Sequence, residues 1–175
     1  MIKILLTTLC IAYLAIACEA KCKVPSVGVE LDNNTASGVW YGHDIYGPPT
    51  IGDGSCFVTE WSVNNDSKIE VHDSWKDHGG KEVNVDSTEV DSETEEGVTS
   101  YTFNIGDDNV KFWFLLADEH SMAAYSCDNK TENANVFIMS REQNRHHAHL
   151  QHIEYKVRKL VHLPHHKHIV HQTHC

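Results

Sequence analysis

From residue 38 onward, apolar and polar side chains alternate in short runs, and each run is closed by turn chemistry. Gly38–Tyr46 is the first run and stops at Gly47-Pro48-Pro49. Ser55–Val63 is the second. Asn64-Asn65-Asp66-Ser67 then turns the chain into residues 68–75, and Asp77-His78-Gly79-Gly80 turns it into residues 81–90. Glu93 to Gly97 marks the next turn. Val98–Ile105 follows, with Tyr101, Phe103 and Ile105 on one face. Gly106-Asp107-Asp108-Asn109 leads into residues 110–117, and two further turns give residues 121–127 and 134–141.

Eight successive strands with hairpin-length links and no crossover helix predict an all-β, up-and-down antiparallel sheet. Eight strands can close into a barrel, which removes both edges and leaves room inside for one small ligand. Residues 21–37, with Pro25 and the polar run Asp32-Asn33-Asn34-Thr35, read as an extended lead-in. After residue 141 the period changes. Leu150, Ile153, Val157, Leu160 and Val161 recur at helical spacing until Pro164, predicting one α-helix over 145–163 packed on the outer wall. Residues 164–175 form an extended, His-rich tail.

The start of the chain has a different character. Lys3 supplies a positive charge, residues 4–17 are almost all apolar, and Cys18-Glu19-Ala20 ends on a small residue. This is the pattern of a signal peptide over residues 1–20, cut after Ala20, and the apolar run is short for a spanning helix. A secreted domain over 21–175 then keeps Cys22, Cys56, Cys127 and Cys175. An even count predicts two disulfides, with three connectivities open. Asn33, Asn65 and Asn129 each begin a glycosylation sequon placed in a loop or turn. The formal charge is −11, with 14 Lys and Arg against 25 Asp and Glu, which disfavours nucleic acid or an anionic membrane as partner.

Three motifs carry a family resemblance. Gly38-Val39-Trp40-Tyr41 places a close-approach glycine before an inward Trp40. Leu115-Leu116-Ala117-Asp118 through Tyr125-Ser126-Cys127 spans the link between strands six and seven. Met139-Ser140-Arg141 ends the last strand. In this order and spacing they resemble the lipocalin family, over essentially the whole secreted domain. The cysteines resemble its arthropod branch, which includes biliverdin-binding pigment proteins, nitrophorins and triabin-like salivary proteins. The resemblance implies Cys22–Cys127 and Cys56–Cys175, and an Arg141 guanidinium lying across the Trp40 indole at the closed end of the barrel. It also implies a secreted carrier of a small hydrophobic ligand. Glu119 after the second motif and the His-rich C-terminus depart from the family.

Candidate cavity-wall residues are Trp61, Trp75, Tyr101, Phe103 and Phe112, with Phe114, Met122, Tyr125, Phe137 and Met139. Which of them face inward depends on register, because a one-residue slip swaps the faces. Ten of the 14 histidines lie in the last thirty residues. Among them His149 and His152 share a helix face, and His166 and His168 share one side of an extended tail, as ligands of a divalent metal would. A tetrapyrrole, biliverdin or haem, is a possible occupant of the barrel; His43, His72, His78 and His120 are the candidate haem ligands, with His72 the best placed. No cofactor is required by the sequence. Cys56 as a thiol nucleophile is a weaker reading than its disulfide, and no Ser-His-Asp spacing points to an enzyme. The alternatives to a carrier are a salivary-type inhibitor that uses the loops at the barrel mouth and a metal-binding tail on a lipocalin scaffold.

Non-reducing peptide mapping is expected to recover Cys22–Cys127 and Cys56–Cys175, closing long loops worth roughly 4–5 kcal/mol apiece. A Cys22–Cys56 peptide would contradict both.

Overall fold

The computed structural model describes residues 23–48, 52–128 and 133–175. The expected signal peptide, Cys22 and Asn129 lie outside these residues. The strands are β1 (Gly38–Tyr46), β2 (Ser55–Val63), β3 (Ile69–Lys76), β4 (Glu82–Glu95), β5 (Val98–Ile105), β6 (Asp108–Ala117), β7 (Ser121–Asp128), β8 (Asn133–Ser140) and β9 (Lys167–Ile169). Among the described residues two helices join them: α1 (Asn33–Ala36) and α2 (His147–Leu160). Strands β2 to β8 follow one another in antiparallel order, and β1 hydrogen-bonds to both β8 and β2, which closes the eight-stranded barrel.

Three details differ from the sequence reading. The lead-in is not wholly extended. Asp32 caps α1 by accepting from the Asn34 amide at 3.2 Å, and this nucleates one helical turn. The sequon residue Asn33 therefore opens a helix instead of lying in a loop. β4 runs on to Glu95, because Glu96 and Gly97 both take positive φ and form a two-residue hairpin turn. The tail also contributes a ninth strand.

Closure is uneven along β1. Its first half pairs with β2, from Gly38↔Trp61 to Tyr41↔Val58. It leaves β2 after Tyr41, next to a register irregularity between Gly42 and Asp44 in its pairing with β8. β9 takes over against Asp44, Ile45 and Tyr46. The tail fills the gap that opens between β1 and β2. Val170 N–H donates to His43 O, Cys56 N–H donates to His171 O, and Gln172 Nε2 donates to both Gly42 O and Phe57 O. The Cys56–Cys175 disulfide completes this seam.

The face of each strand residue sets its core. Inward residues such as Trp40, Trp61, Phe103, Phe114 and Met139 form the interior cluster, while Tyr46, Trp113, Tyr125, Val136 and Ile138 form an outer cluster under Leu150, Ile153 and Val157 of α2. Charge ties the tail and α2 to the wall. Buried Asp44 receives Arg145 at 2.7 Å and lies 3.3 Å from Lys167. Lys167 also reaches Glu154 at 3.0 Å.

The links β2–β3, β4–β5 and β6–β7 share the end of the barrel that α1 and the lead-in cover. There Trp40 is fully buried, and its Nε1 donates to Ala36 O at 2.8 Å. The Arg141 guanidinium lies 3.6 Å over the Trp40 ring. It donates to the carbonyls of Val39, Thr35 and Ser37 at 2.8, 2.6 and 2.7 Å. Gly38, at φ 97°, leaves room for Arg141 Nη1, which a Cβ would meet at 3.2 Å.

Arg141→Ala is expected to destabilise the fold by about 2–3 kcal/mol, through lost stacking and three orphaned carbonyls. Arg141→Lys should recover little of it, because an ammonium can neither lie flat on the indole nor present a fork. Chemical denaturation of the two variants checks both.

Candidate functional site

The barrel interior holds one chamber of about 60 Å³, measured as the space open to the centres of water-sized molecules. Aromatic side chains form most of its wall. Trp61, Phe103, Phe112, Phe114, Phe137 and Met139 line it, joined by Phe57, Val71, Ile105 and Ala124. The rings meet edge to face: Trp61 with Phe103 at 6.0 Å and with Phe114 at 5.5 Å, and Phe103 with Phe112 at 5.8 Å.

The other four expected wall residues sit elsewhere. Trp75 stands near the mouth, edge-on to Phe57, in contact with the interior cluster but outside the chamber lining. Tyr101 and Met122 are buried in that cluster, and the Tyr101 hydroxyl accepts from the Leu31 amide at 2.8 Å. Tyr125 is a correction. It packs against Trp113 in the outer cluster under α2. Met122 and Tyr125 are three apart on one strand, so the period of two sends them to opposite faces.

Three polar groups break the apolar wall: Thr59, Asp73 and Ser87. Asp73 is 8% exposed. It lies directly across from Thr59, whose hydroxyl bonds to it and also accepts the Trp61 indole N–H at 2.7 Å. Burial pushes the Asp73 carboxyl up to about 6; the Thr59 bond and the neighbouring His72 only partly offset this. Among the described residues no cationic side chain pairs with it. Near neutral pH the chamber thus presents a desolvated negative charge surrounded by rings. Sequence reasoning missed Asp73, although the signal was present: Ile69, Val71, Asp73 and Trp75 alternate onto one face of β3.

No histidine lines the chamber. His72 points outward, where its Nδ1 bonds Asp86 at 2.6 Å. His43 is buried on the outer side, its Nε2 against Ser140 Oγ and Glu142 O. His78 and His120 lie in turns. His72, the best placed of the four haem-ligand candidates, is therefore on the outer face of its strand. The tail histidines also fail to gather as the sequence suggested. His149 Nε2 bonds Ser121 Oγ at 2.8 Å, His152 and His166 are exposed, and His168 contacts Gly54. Among the described residues no group of three or more His, Cys, Asp or Glu closes around a metal position. The Ser121–His149 and Ser140–His43 contacts are pairs that sequence spacing hides. Both hydroxyls are buried.

No family model matches the sequence, and no curated protein matches it. Solved structures do. Lobster apocrustacyanin A1 is 17% identical, with 81% of this chain and 79% of that one covered at a TM-score of 0.65. The amine-binding protein of Rhodnius prolixus, solved as its tryptamine complex, is 18% identical, covering 79% and 80% at 0.63. Insecticyanin from the tobacco hornworm Manduca sexta is 18% identical, covering 79% and 78% at 0.57. At these identities the likeness establishes the fold.

Asp73→Asn tests the electrostatics of the chamber. The folded state raises this carboxyl from 3.8 to about 6, so its ionisation costs stability as pH rises through that window. The substitution is expected to stabilise the fold by about 1–3 kcal/mol at pH 7.5 and to leave it unchanged below about pH 4. Denaturation at the two pH values measures the difference.

Proposed function

We propose that this chain, which has the lipocalin fold, is a secreted carrier or scavenger of a small aromatic amine, with the ring in the barrel and the ammonium on Asp73. The observation that carries this reading is a buried carboxylate in a chamber of aromatic rings, without a counter-cation among the described residues. An ammonium would supply the missing charge at short range in a low-dielectric site. The ring would replace water against Phe103, Phe112 and Phe114. The chamber volume argues for a small ligand, since pockets for drug-sized molecules measure roughly 300–1,000 Å³. A tetrapyrrole would need the aromatic wall to open much further. The Rhodnius protein of the same fold was solved with tryptamine, which fits this chemistry.

The rest of the secreted reading belongs to the same proposal: the signal peptide over residues 1–20, the Cys22–Cys127 bridge and glycans on Asn33, Asn65 and Asn129. Cys127 is disulfide-bonded and Asn33 and Asn65 are exposed, which supports it. The narrowness of the chamber favours one alternative, a protein that acts through its mouth loops with the barrel filled.

Titration calorimetry with tryptamine is expected to show a single site at pH 7.5, weakened about tenfold or more by Asp73→Asn. Affinity should fall as pH drops below about 6, where Asp73 takes up its proton. If fatty acid binds instead and Asp73→Asn has no effect, the amine assignment fails and the carrier stands. If nothing saturates at micromolar concentration, the protein acts through its mouth loops.

A further inference from the structure

Outside the chamber, side chains from three separate segments meet at the barrel mouth. Asp53 precedes β2, His78 lies in the turn between β3 and β4, and His168 is the middle residue of β9. Asp53 offers one oxygen to each ring. Its Oδ2 is 3.2 Å from His78 Nε2, and its Oδ1 is 3.6 Å from His168 Nδ1. The rings stand edge to face, with centroids 6.0 Å apart.

The other nitrogen of His168 fixes how this ring is protonated. Nε2 sits 2.7 Å from the Gly54 carbonyl oxygen and 3.2 Å from the Gly54 amide. The shorter contact is the length of an N–H···O bond, and two acceptors do not approach so closely. Nε2 therefore carries the proton. In the neutral ring Nδ1 then turns a lone pair towards the Asp53 carboxylate. Two electron-rich groups facing each other call for a cation between them. An imidazole with one N–H fixed by a backbone carbonyl and the other nitrogen turned into a site is the arrangement that prepares histidine to bind a metal.

We propose that Asp53, His78 and His168 form a binding site for one divalent transition-metal ion, with zinc the best fit to two imidazoles and a carboxylate. The Asp53 carboxylate stands between the two rings, with Oδ2 3.2 Å from His78 Nε2 and Oδ1 3.6 Å from His168 Nδ1. As the side chains stand, the three do not close around an ion. The adjustment falls on His78, which is 72% exposed and can swing, while Asp53 and His168 are 21% and 22% exposed. A fourth position is left for water. The formal charge of −11 favours uptake of a cation. A bound ion would tie the segment before β2, the β3–β4 turn and β9 together at the mouth, beside the seam that Cys56–Cys175 closes.

Zinc titration of the intact, disulfide-bonded chain tests this, with calorimetry and cobalt(II) absorption as readouts. The tightest site is expected to hold one ion and to weaken at least about tenfold in His78→Ala and in Asp53→Asn. His152→Ala, on the exposed face of α2, is expected to change nothing. Zinc should raise the melting temperature of the wild-type chain and not that of His78→Ala. The metal-free melting temperatures of the two should agree, because His78 is an exposed turn residue. Undiminished tight binding in His78→Ala, or loss in His152→Ala instead, would overturn the assignment. So would the absence of zinc binding, and an imidazolium at His168 by NMR would then identify the cation facing Asp53 as a proton.

Discussion

A barrel of this kind exists only if its first strand finds partners on both edges, and β1 does so with different partners along its length. At the covered end it pairs with β2 and β8, and Arg141 fixes it by lying over Trp40 while bonding three carbonyls of the strand and lead-in. Towards the mouth β1 diverges from β2, and backbone groups of both strands would be left unpaired. The tail supplies the missing partners through β9, Gln172 and the contacts of Val170 and His171. Unpaired buried backbone groups are costly enough that the tail is part of the barrel's closure. The Cys56–Cys175 bridge and the ion pairs of Asp44 with Arg145 and Lys167 hold it in register.

With closure secured at the seam, the interior can hold something that does not favour folding. Asp73 is a desolvated carboxylate among rings, and its ionisation costs stability at neutral pH. Contrast Glu154 on the outer face. Burial alone would raise its pKa, but bonds from Arg158, Lys167 and Tyr46 hold it down at about 2. Glu154 is satisfied by the chain's own cations, whereas among the described residues none pairs with Asp73. A charge left uncompensated inside a shaped chamber is what a ligand of opposite sign can exploit.

Much of the fold was legible in the sequence. Alternation and turn chemistry located all eight barrel strands, and Leu150, Ile153 and Val157 placed the helix face. The lead-in helix was missed because its signal is a single capping Asp32, too short for periodicity to register. β9 was missed because its strand character comes from pairing with β1, and Lys-His-Ile carries no pattern of its own. The chamber was harder to read. Aromatic type marked core residues but not which side of the wall they faced, so Tyr125 stood among the wall candidates and His72 among the haem-ligand candidates until the register placed both on the outer face. The chemistry lay in a polar residue on an apolar face, Asp73, which a search for aromatic walls passes over. The contact of His168 with Asp53 and His78 joins segments far apart in the chain, and no spacing rule reaches it.

The central claim is that Asp73 is a buried charge awaiting an ammonium. Carboxyl-carbon NMR of Asp73, titrated with and without tryptamine, tests it most directly. The account predicts a midpoint near 6 in the free protein, falling well below that when the amine is bound. A midpoint in the ordinary carboxylate range near 4, or one that tryptamine at saturation leaves unmoved, would contradict it.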